Sequence, residues 1–218
     1  MKTFRITSFA FAIILSTAIG CFAQTNFTAN LTHDQETTQG TFLTSGGDPR
    51  PLSFGNANFT LSADLSQLTM TVTVFNIDIT GSQTPSDTND NLAAAHIHAN
   101  ATVVQGQNAG VVWGFFGAPD NDINPDDLVI TPFASGVGGT FTSIWQAAEG
   151  NNTTLTDQVN NIMTGHSYIN FHTGQFPGGE IRGALVPEPS SIAFLAFGGI
   201  GVLYAARKAR KNLAPRRD

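Results

Sequence analysis

Three histidines have the residue type and the spacing that a metal site requires. His96 and His98 are two residues apart, so both side chains lie on one face of a β-strand and Ile97 lies on the other. His172 likewise alternates with the apolar Phe171 on its own strand. Three neutral imidazoles with one open coordination position are a recognised ligand set for zinc or copper. His96, His98 and His172 are therefore candidate ligands of zinc or copper as a hypothesis, and the sequence assigns no catalytic residue and no cofactor.

A structural role for the same histidines is the interpretation that the sequence favours, because a His-x-His motif alone is a weak signal of a metal site. Histidines in a sheet can hydrogen-bond to a neighbouring strand, and Glu180 and Arg182 can form cross-strand ion pairs worth a few tenths of a kcal/mol up to about 1 kcal/mol. If the strands that carry His96 and His172 are neighbours in one sheet, Glu180 joins the three imidazoles on one face. Stoichiometric metal binding distinguishes the two interpretations.

The hairpin at 168–185 is the element that must position His172. Its two segments alternate apolar and polar residues, with Ile169 inside the first and Ile181 inside the second. Between them, Pro177-Gly178-Gly179 combines a fixed φ with two residues that are free to take positive φ. We therefore expect two antiparallel strands joined by a long loop.

The rest of the chain is predicted to consist of short strands and one helix. Alternating or short apolar runs predict strands at 26–32, 56–63, 68–79, 92–99, 110–117, 128–133 and 139–145. A shift of the alternation after Phe75 suggests a bulge. Thr154 and Asp157 form a capping box before apolar residues at helical spacing, and Gly165 ends this helix. The fold class is therefore all-β, a single antiparallel β-sandwich or barrel with one short helix.

The motifs around the histidines resemble those of the CHRD domain. The residues that carry the resemblance are Tyr168, Asn170, His172-Thr173, Pro177 and Gly179-Glu180-Ile181-Arg182-Gly183, with His96-Ile97-His98 upstream. This module is repeated in the developmental regulator chordin and occurs singly in many bacterial secreted proteins. The family has no firmly assigned biochemical activity. The resemblance therefore implies a cellular location and a fold, but no reaction.

A second resemblance is to the sandwich of copper-zinc superoxide dismutase. It rests on the His-x-His strand and on the late glycine-rich segment that contains Arg182. That family has further ligands between these segments, including an Asp, and a disulfide that the single cysteine, Cys21, cannot form. We therefore expect an immunoglobulin-like or superoxide-dismutase-like sandwich without dismutase activity.

Residues 1–23 have the pattern of a secretory signal peptide. Lys2 and Arg5 precede an apolar run at 9–19, and Ala23 is a small residue suited to cleavage. The alternative is a lipobox, in which Cys21 is lipidated. Export by the Sec machinery would leave a mature chain without cysteine, so this domain must be stabilised by its core rather than by disulfides.

Residues 187–218 contain a motif, an apolar run and a basic tail in that order. Pro187, Glu188 and Pro189 precede the apolar run at 192–206, which is at the short limit for a transmembrane helix. The basic residues that follow would stay in the cytoplasm. This order resembles the PEP-CTERM sorting signal, which implies cleavage by an exosortase and a bacterial cell-surface or extracellular location. A simple C-terminal anchor in the inner membrane is the alternative.

The charge of the intervening CHRD domain, predicted at 24–186, excludes one class of partner. Residues 24–187 contain fourteen Asp and Glu against only Arg50 and Arg182, a net charge of −12. Such a surface repels nucleic acid and anionic lipid. We expect a non-enzymatic binding or structural component of the cell surface or extracellular matrix, with a polysaccharide or protein ligand. A metal-binding protein or metalloenzyme built on the three histidines is the alternative.

The acidic loop at 120–127 is a second candidate cation site. Asp120, Asp122 and Asn124 offer oxygen ligands at alternate positions. However, Pro125 stands where an EF-hand loop has glycine, and no Glu closes the loop. We therefore expect a solvated loop.

Overall fold

The structure is a computed structural model that describes residues 24–188. Ten strands follow one another with one α-helix, α1 (Leu155–Met163), and a short 3-10 helix (His33–Gln35). The strands are β1 (Thr25–Thr32), β2 (Phe54–Leu61), β3 (Gln67–Phe75), β4 (Leu92–Ala99), β5 (Val111–Phe116), β6 (Val129–Pro132), β7 (Gly138–Gln146), β8 (Ser167–Thr173), β9 (Ile181–Ala184) and β10 (Val186–Pro187).

All ten strands belong to one curled antiparallel sheet. Their order is β5-β4-β8-β9-β1-β2-β3-β7-β6, and β10 pairs with β1. This arrangement confirms the predicted all-β class with a single short α-helix in the described part of the chain. The predicted hairpin is also confirmed, since β8 pairs with β9 from Tyr168↔Ala184 to Phe171↔Ile181.

Aromatic contacts bring the two ends of the sheet together over a common core. Trp113 of β5 stacks on Trp145 of β7, with ring centroids 5.5 Å apart and planes 5° from parallel. Phe141 of β7 packs edge-on against Phe171 of β8 at 5.4 Å. Because β5 and β8 belong to one half of the sheet and β7 to the other, these contacts hold the curl closed.

Helix α1 begins and ends where its sequence signals predict. The Thr154 side chain accepts a hydrogen bond from the Asp157 backbone, and the Asp157 side chain accepts one from the Thr154 backbone. Leu155 and Ile162 point into the core and are fully buried. The helix thereby covers the core immediately before the chain enters β8.

The predicted strand at 68–79 is too long. Strand β3 ends at Phe75, and Asn76 takes a left-handed conformation with φ of 62°. The shift in alternation therefore marks the end of a strand rather than a bulge. Ile77 and Ile79 are nevertheless buried in the core, because the loop after β3 folds back over it.

Several predictions concern residues outside 24–188. They are the signal peptide at 1–23, Pro189 of the sorting motif, the transmembrane helix at 192–206 and the basic tail. Among residues 24–188, no helix is both long enough and apolar enough to cross a membrane.

Candidate metal centre

Two neighbouring strands bring the three predicted histidines together. Strands β4 and β8 are paired, with Ala94 opposite His172 and His96 opposite Asn170. His96, His98 and His172 therefore occupy one face of this pair of strands. One ring nitrogen from each histidine lies within 4.8 Å of those of the other two.

The histidine face is buried although it lies opposite the hydrophobic core. On the core face, Ile97 and Phe171 are fully buried, which fixes the orientation of both strands. On the other face, His96, His98 and His172 are only 5%, 7% and 9% exposed, because loops cover them. This region of the sheet is thus covered on both sides.

Each imidazole is held by one backbone carbonyl from a different loop. His98 Nδ1 lies 2.9 Å from the Ala109 carbonyl oxygen, and His96 Nε2 lies 3.1 Å from that of Ala118. His172 Nδ1 lies 3.0 Å from the carbonyl oxygen of Pro177, in the turn between β8 and β9. A carbonyl oxygen only accepts hydrogen bonds, so each of these ring nitrogens must carry the proton.

The three remaining ring nitrogens carry lone pairs, and two of them face each other. His96 Nδ1 lies 3.3 Å from His172 Nε2, and neither nitrogen carries a proton once the carbonyl contacts are made. His98 Nε2 is buried and has no hydrogen-bond partner. Converging lone pairs without a proton between them repel one another, and a cation placed among them would remove that repulsion.

The surroundings keep all three imidazoles neutral. Burial lowers the pKa of His96 to about 4, and the neighbouring His172 adds to this effect. Burial likewise lowers the pKa of His98 to about 4. The pKa of His172 is lowered by burial, with a smaller contribution from the Arg182 guanidinium. Neutral imidazoles are the protonation state that binds metals.

Tyr168 and Arg182 form the layer beside His98. The Tyr168 ring stacks on the His98 ring at 4.7 Å, with planes 4° from parallel. The Tyr168 hydroxyl accepts a hydrogen bond from the Ala109 backbone N–H, so Tyr168 also fixes the residue whose carbonyl holds His98. The Arg182 guanidinium lies 4.4 Å from the centre of the Tyr168 ring and is paired with Glu36 at 2.5 Å.

Gly114 allows a loop to reach His96. Gly114 lies opposite His96 in the pairing of β4 with β5. A Cβ atom at this position would lie 1.8 Å from the carbonyl oxygen of Pro119 and 3.1 Å from His96 Cδ2. Only glycine therefore lets the chain after β5 fold back closely enough for Ala118 to contact the His96 ring.

Glu180 does not join the histidines, contrary to the expectation from its alternation with Ile181. It forms a buried ion pair with Arg50, with 2.7 Å between Arg50 Nη2 and Glu180 Oε2. It also accepts hydrogen bonds from the hydroxyls of Ser53 and Thr173. Both predicted ion-pairing residues are paired, but with residues of loops rather than across neighbouring strands.

The prediction of a solvated acidic loop at 120–127 is only partly right. Asp120 and Asp126 are exposed, but Asp122 is buried and accepts a hydrogen bond from the Ser143 hydroxyl at 2.5 Å. Burial raises the pKa of Asp122 to about 6. Asp127 accepts hydrogen bonds from the Ile144 backbone and the Gln146 side chain. The loop's carboxylates thus anchor it to β7.

Sequence reasoning missed the groups that surround the triad of His96, His98 and His172. Backbone carbonyls carry no sequence signal, so the roles of Ala109, Ala118 and Pro177 could not be predicted. Glu36 is 146 residues from Arg182 in the chain, and nothing near it indicates the pair. The alternation of β8 does place Tyr168 on the face of His172.

The fold and the site define an all-β domain with a buried cluster of three histidines. The chain belongs to the CHRD family, because the model of the CHRD domain matches residues 27–185. No curated protein and no solved structure matches the chain.

The model of the PEP-CTERM protein-sorting motif matches residues 185–211. This match includes Pro187, Glu188 and Pro189, the predicted sorting motif. The chain is therefore an exported protein of the exosortase-sorted type, with a surface or extracellular destination.

Proposed function

We propose that this exported CHRD domain binds one transition-metal ion, zinc or copper, through His96 Nδ1, His98 Nε2 and His172 Nε2. The single observation that carries the proposal is the convergence of three unprotonated ring nitrogens in a buried site. The other nitrogen of each of the three rings is hydrogen-bonded to a backbone carbonyl. Metal-binding histidines characteristically donate their second ring N–H in this way, which fixes the ring and the tautomer.

The spacing of the nitrogens supports the proposal. With metal–nitrogen bonds of about 2.0–2.1 Å and tetrahedral angles, two ligand nitrogens are about 3.3 Å apart. His96 Nδ1 and His172 Nε2 are already at 3.3 Å. The whole group lies within 4.8 Å, so a small movement of the His98 ring would bring all three nitrogens into coordination range.

A purely structural role accounts for less of the site. The contacts to Ala109, Ala118 and Pro177 use one nitrogen of each ring. They leave His98 Nε2 without a partner in a buried position, which costs free energy. Metal binding gives every one of the six ring nitrogens a partner.

We further propose how the chain reaches its location. Residues 1–23 direct export by the Sec machinery, and residues 24–186 form the mature CHRD domain. Residues 187–218 hold the precursor at the inner membrane until an exosortase cleaves near Pro187-Glu188-Pro189. The role of the mature protein is binding at the cell surface or in the extracellular matrix rather than catalysis.

The test is the metal content of the full-length chain, purified in mild detergent, reconstituted with zinc or copper and analysed by mass spectrometry. We expect close to one metal ion per chain in the wild type and a loss of that ion in His98→Ala. The matched control is His166→Ala, since His166 also contacts one backbone carbonyl but lies outside the triad. Absence of metal from the wild type, or equal content in both variants, would refute the proposal.

A further inference from the structure

We infer that the metal for which this site is built is copper(I) rather than a divalent ion. This inference rests on the proposed function and names its metal. It follows from the charge of the donor set, from the burial of the site and from the number of ligands that the fold supplies.

The donor set has no negative charge. The metal-capable group consists of three histidines without a carboxylate or a thiolate among the residues that the structure describes. The Arg182 guanidinium lies 4.4 Å from the centre of the Tyr168 ring, and that ring stacks on His98, so the charged group beside the site is a cation. The carboxylate closest to Arg182 is Glu36, and it is already neutralised by that ion pair. A bound cation would keep its whole charge in this environment.

Burial makes the size of that charge decisive. The three rings are no more than 9% exposed. The free energy of moving an ion from water into a medium of low polarity grows with the square of its charge, so a dication costs four times as much as a monocation of the same size. A neutral, buried set of ligands therefore favours a metal with a single positive charge.

The number of ligands supports the same choice. Zinc in a site of three histidines takes a water molecule as its fourth ligand, so zinc would require a water inside this buried cluster. Between residues 24 and 188, no fourth His, Cys, Asp or Glu joins the group. Copper(I) is stable with three nitrogen ligands, and three imidazoles complete its coordination.

Asn170 shows that a carboxylate would fit beside the triad, yet the chain has an amide there. Asn170 lies directly opposite His96 in the pairing of β4 with β8 and is 2% exposed. Its Oδ1 has no hydrogen-bond partner. Aspartate has nearly the same shape as asparagine, so Asn170→Asp adds one negative charge next to the site with little change in volume.

The experiment measures the affinities of the full-length chain for copper(I), copper(II) and zinc(II) by competition with chromophoric chelators, with the copper(I) titration under anaerobic conditions. We expect copper(I) to bind at one per chain and at least about 1,000-fold more tightly than zinc(II). Asn170→Asp should reduce that ratio about tenfold or more, because the added charge favours the dication. The control Asn58→Asp, on the exposed face of β2, should leave it unchanged.

The outcomes separate this inference from the proposed function. Zinc(II) or copper(II) binding as tightly as copper(I) would overturn the inference and leave the metal site standing. Failure of all three ions to bind would overturn both. The wild-type ratio does not depend on the variants, so a poorly folded Asn170→Asp protein would not prevent a decision.

Discussion

At the scale of single residues, the described site consists of imidazoles whose protons are all directed outward. Ala109, Ala118 and Pro177 each accept one of those protons. A further proton on any of the rings would place a positive charge in a buried site without a carboxylate. The metal-free protein should therefore be sensitive to acid in a way that depends on these residues.

We predict that the metal-free protein loses stability as the pH falls from about 6.5 towards 4. His96 and His98 have a pKa of about 4 when folded, against 6.5 as the ordinary value. Between pH 4 and pH 6.5 the unfolded chain binds more protons than the folded one, so the free energy of unfolding rises with pH. The contribution of the two histidines to stability is complete above pH 6.5. Each histidine contributes on the order of 3 kcal/mol.

Urea unfolding of the metal-free chain at several pH values measures this effect, with His98→Gln as the comparison. Asp122 acts in the opposite direction because burial raises its pKa to about 6, so the comparison between the two proteins isolates His98. The loss of stability on acidification should be smaller in His98→Gln. Equal pH dependence in both proteins would show that His98 is not held neutral by the fold.

We also predict that Gly179→Ala destabilises the domain by about 2–4 kcal/mol, whereas Gly178→Ala changes its stability by less than about 0.5 kcal/mol. Gly179 has φ of 127°, and a Cβ there would lie 2.6 Å from Glu36 Oε1 and 2.7 Å from Asn170 Nδ2. A Cβ at Gly178 would meet nothing within 4 Å. Thermal unfolding of both variants checks this, and similar losses in the two would contradict the packing described for the turn.

At the scale of elements, the turn between β8 and β9 is fixed by a buried ion pair. The Arg50 guanidinium contacts both oxygens of Glu180, at 3.0 and 2.7 Å, and its carbon lies 4.7 Å from the centre of the Phe42 ring. This pair attaches the loop before β2 to the start of β9. It therefore also stabilises the turn from which the Pro177 carbonyl reaches His172.

We predict that Arg50→Met lowers the free energy of unfolding by about 3–5 kcal/mol, because it leaves the Glu180 carboxylate buried without a counter-ion. The double variant Arg50→Met/Glu180→Gln removes the charge as well and should lose less stability than the single variant. Chemical denaturation at neutral pH measures both. A double variant that is less stable than Arg50→Met would contradict this account of the pair.

Local sequence patterns predict the strands and the helix far better than they predict the contacts that surround the three histidines. The alternation of His96 and His98 with apolar residues predicts strand β4 at its observed bounds, and the local capping box predicts α1. The contacts that complete the site join distant segments, such as Glu36 with Arg182. They depend on how loops cross the sheet, and no periodicity encodes that.

At the scale of the whole molecule, one exported domain is followed by a C-terminal sorting motif. The CHRD match ends at residue 185, where the PEP-CTERM match begins. Strand β10 pairs with β1 through Phe27↔Pro187, so the described domain reaches the first residue of the motif. Cleavage near the motif would therefore leave the triad and its loops intact.

We predict that replacing Pro187, Glu188 and Pro189 by alanine prevents processing of the tail. In bacterial cells that contain an exosortase, the wild-type protein should have the mass of a chain that lacks most of 189–218, and the variant should retain these residues. Ser190→Ala/Ser191→Ala, next to the motif, is the matched control and should be processed. Intact-mass measurement distinguishes the products, and normal processing of the triple variant would show that the motif is not the signal.

The central claim, that the three histidines hold one metal ion, is tested most directly by a crystal structure of the metal-loaded protein with anomalous diffraction data at the absorption edge of the metal. We expect one anomalous peak about 2.0–2.1 Å from His96 Nδ1, His98 Nε2 and His172 Nε2, with the opposite ring nitrogens still bonded to their carbonyls. A loaded protein whose metal lies elsewhere, for example at the loop around Asp122, or whose histidine cluster contains no peak, would contradict the account.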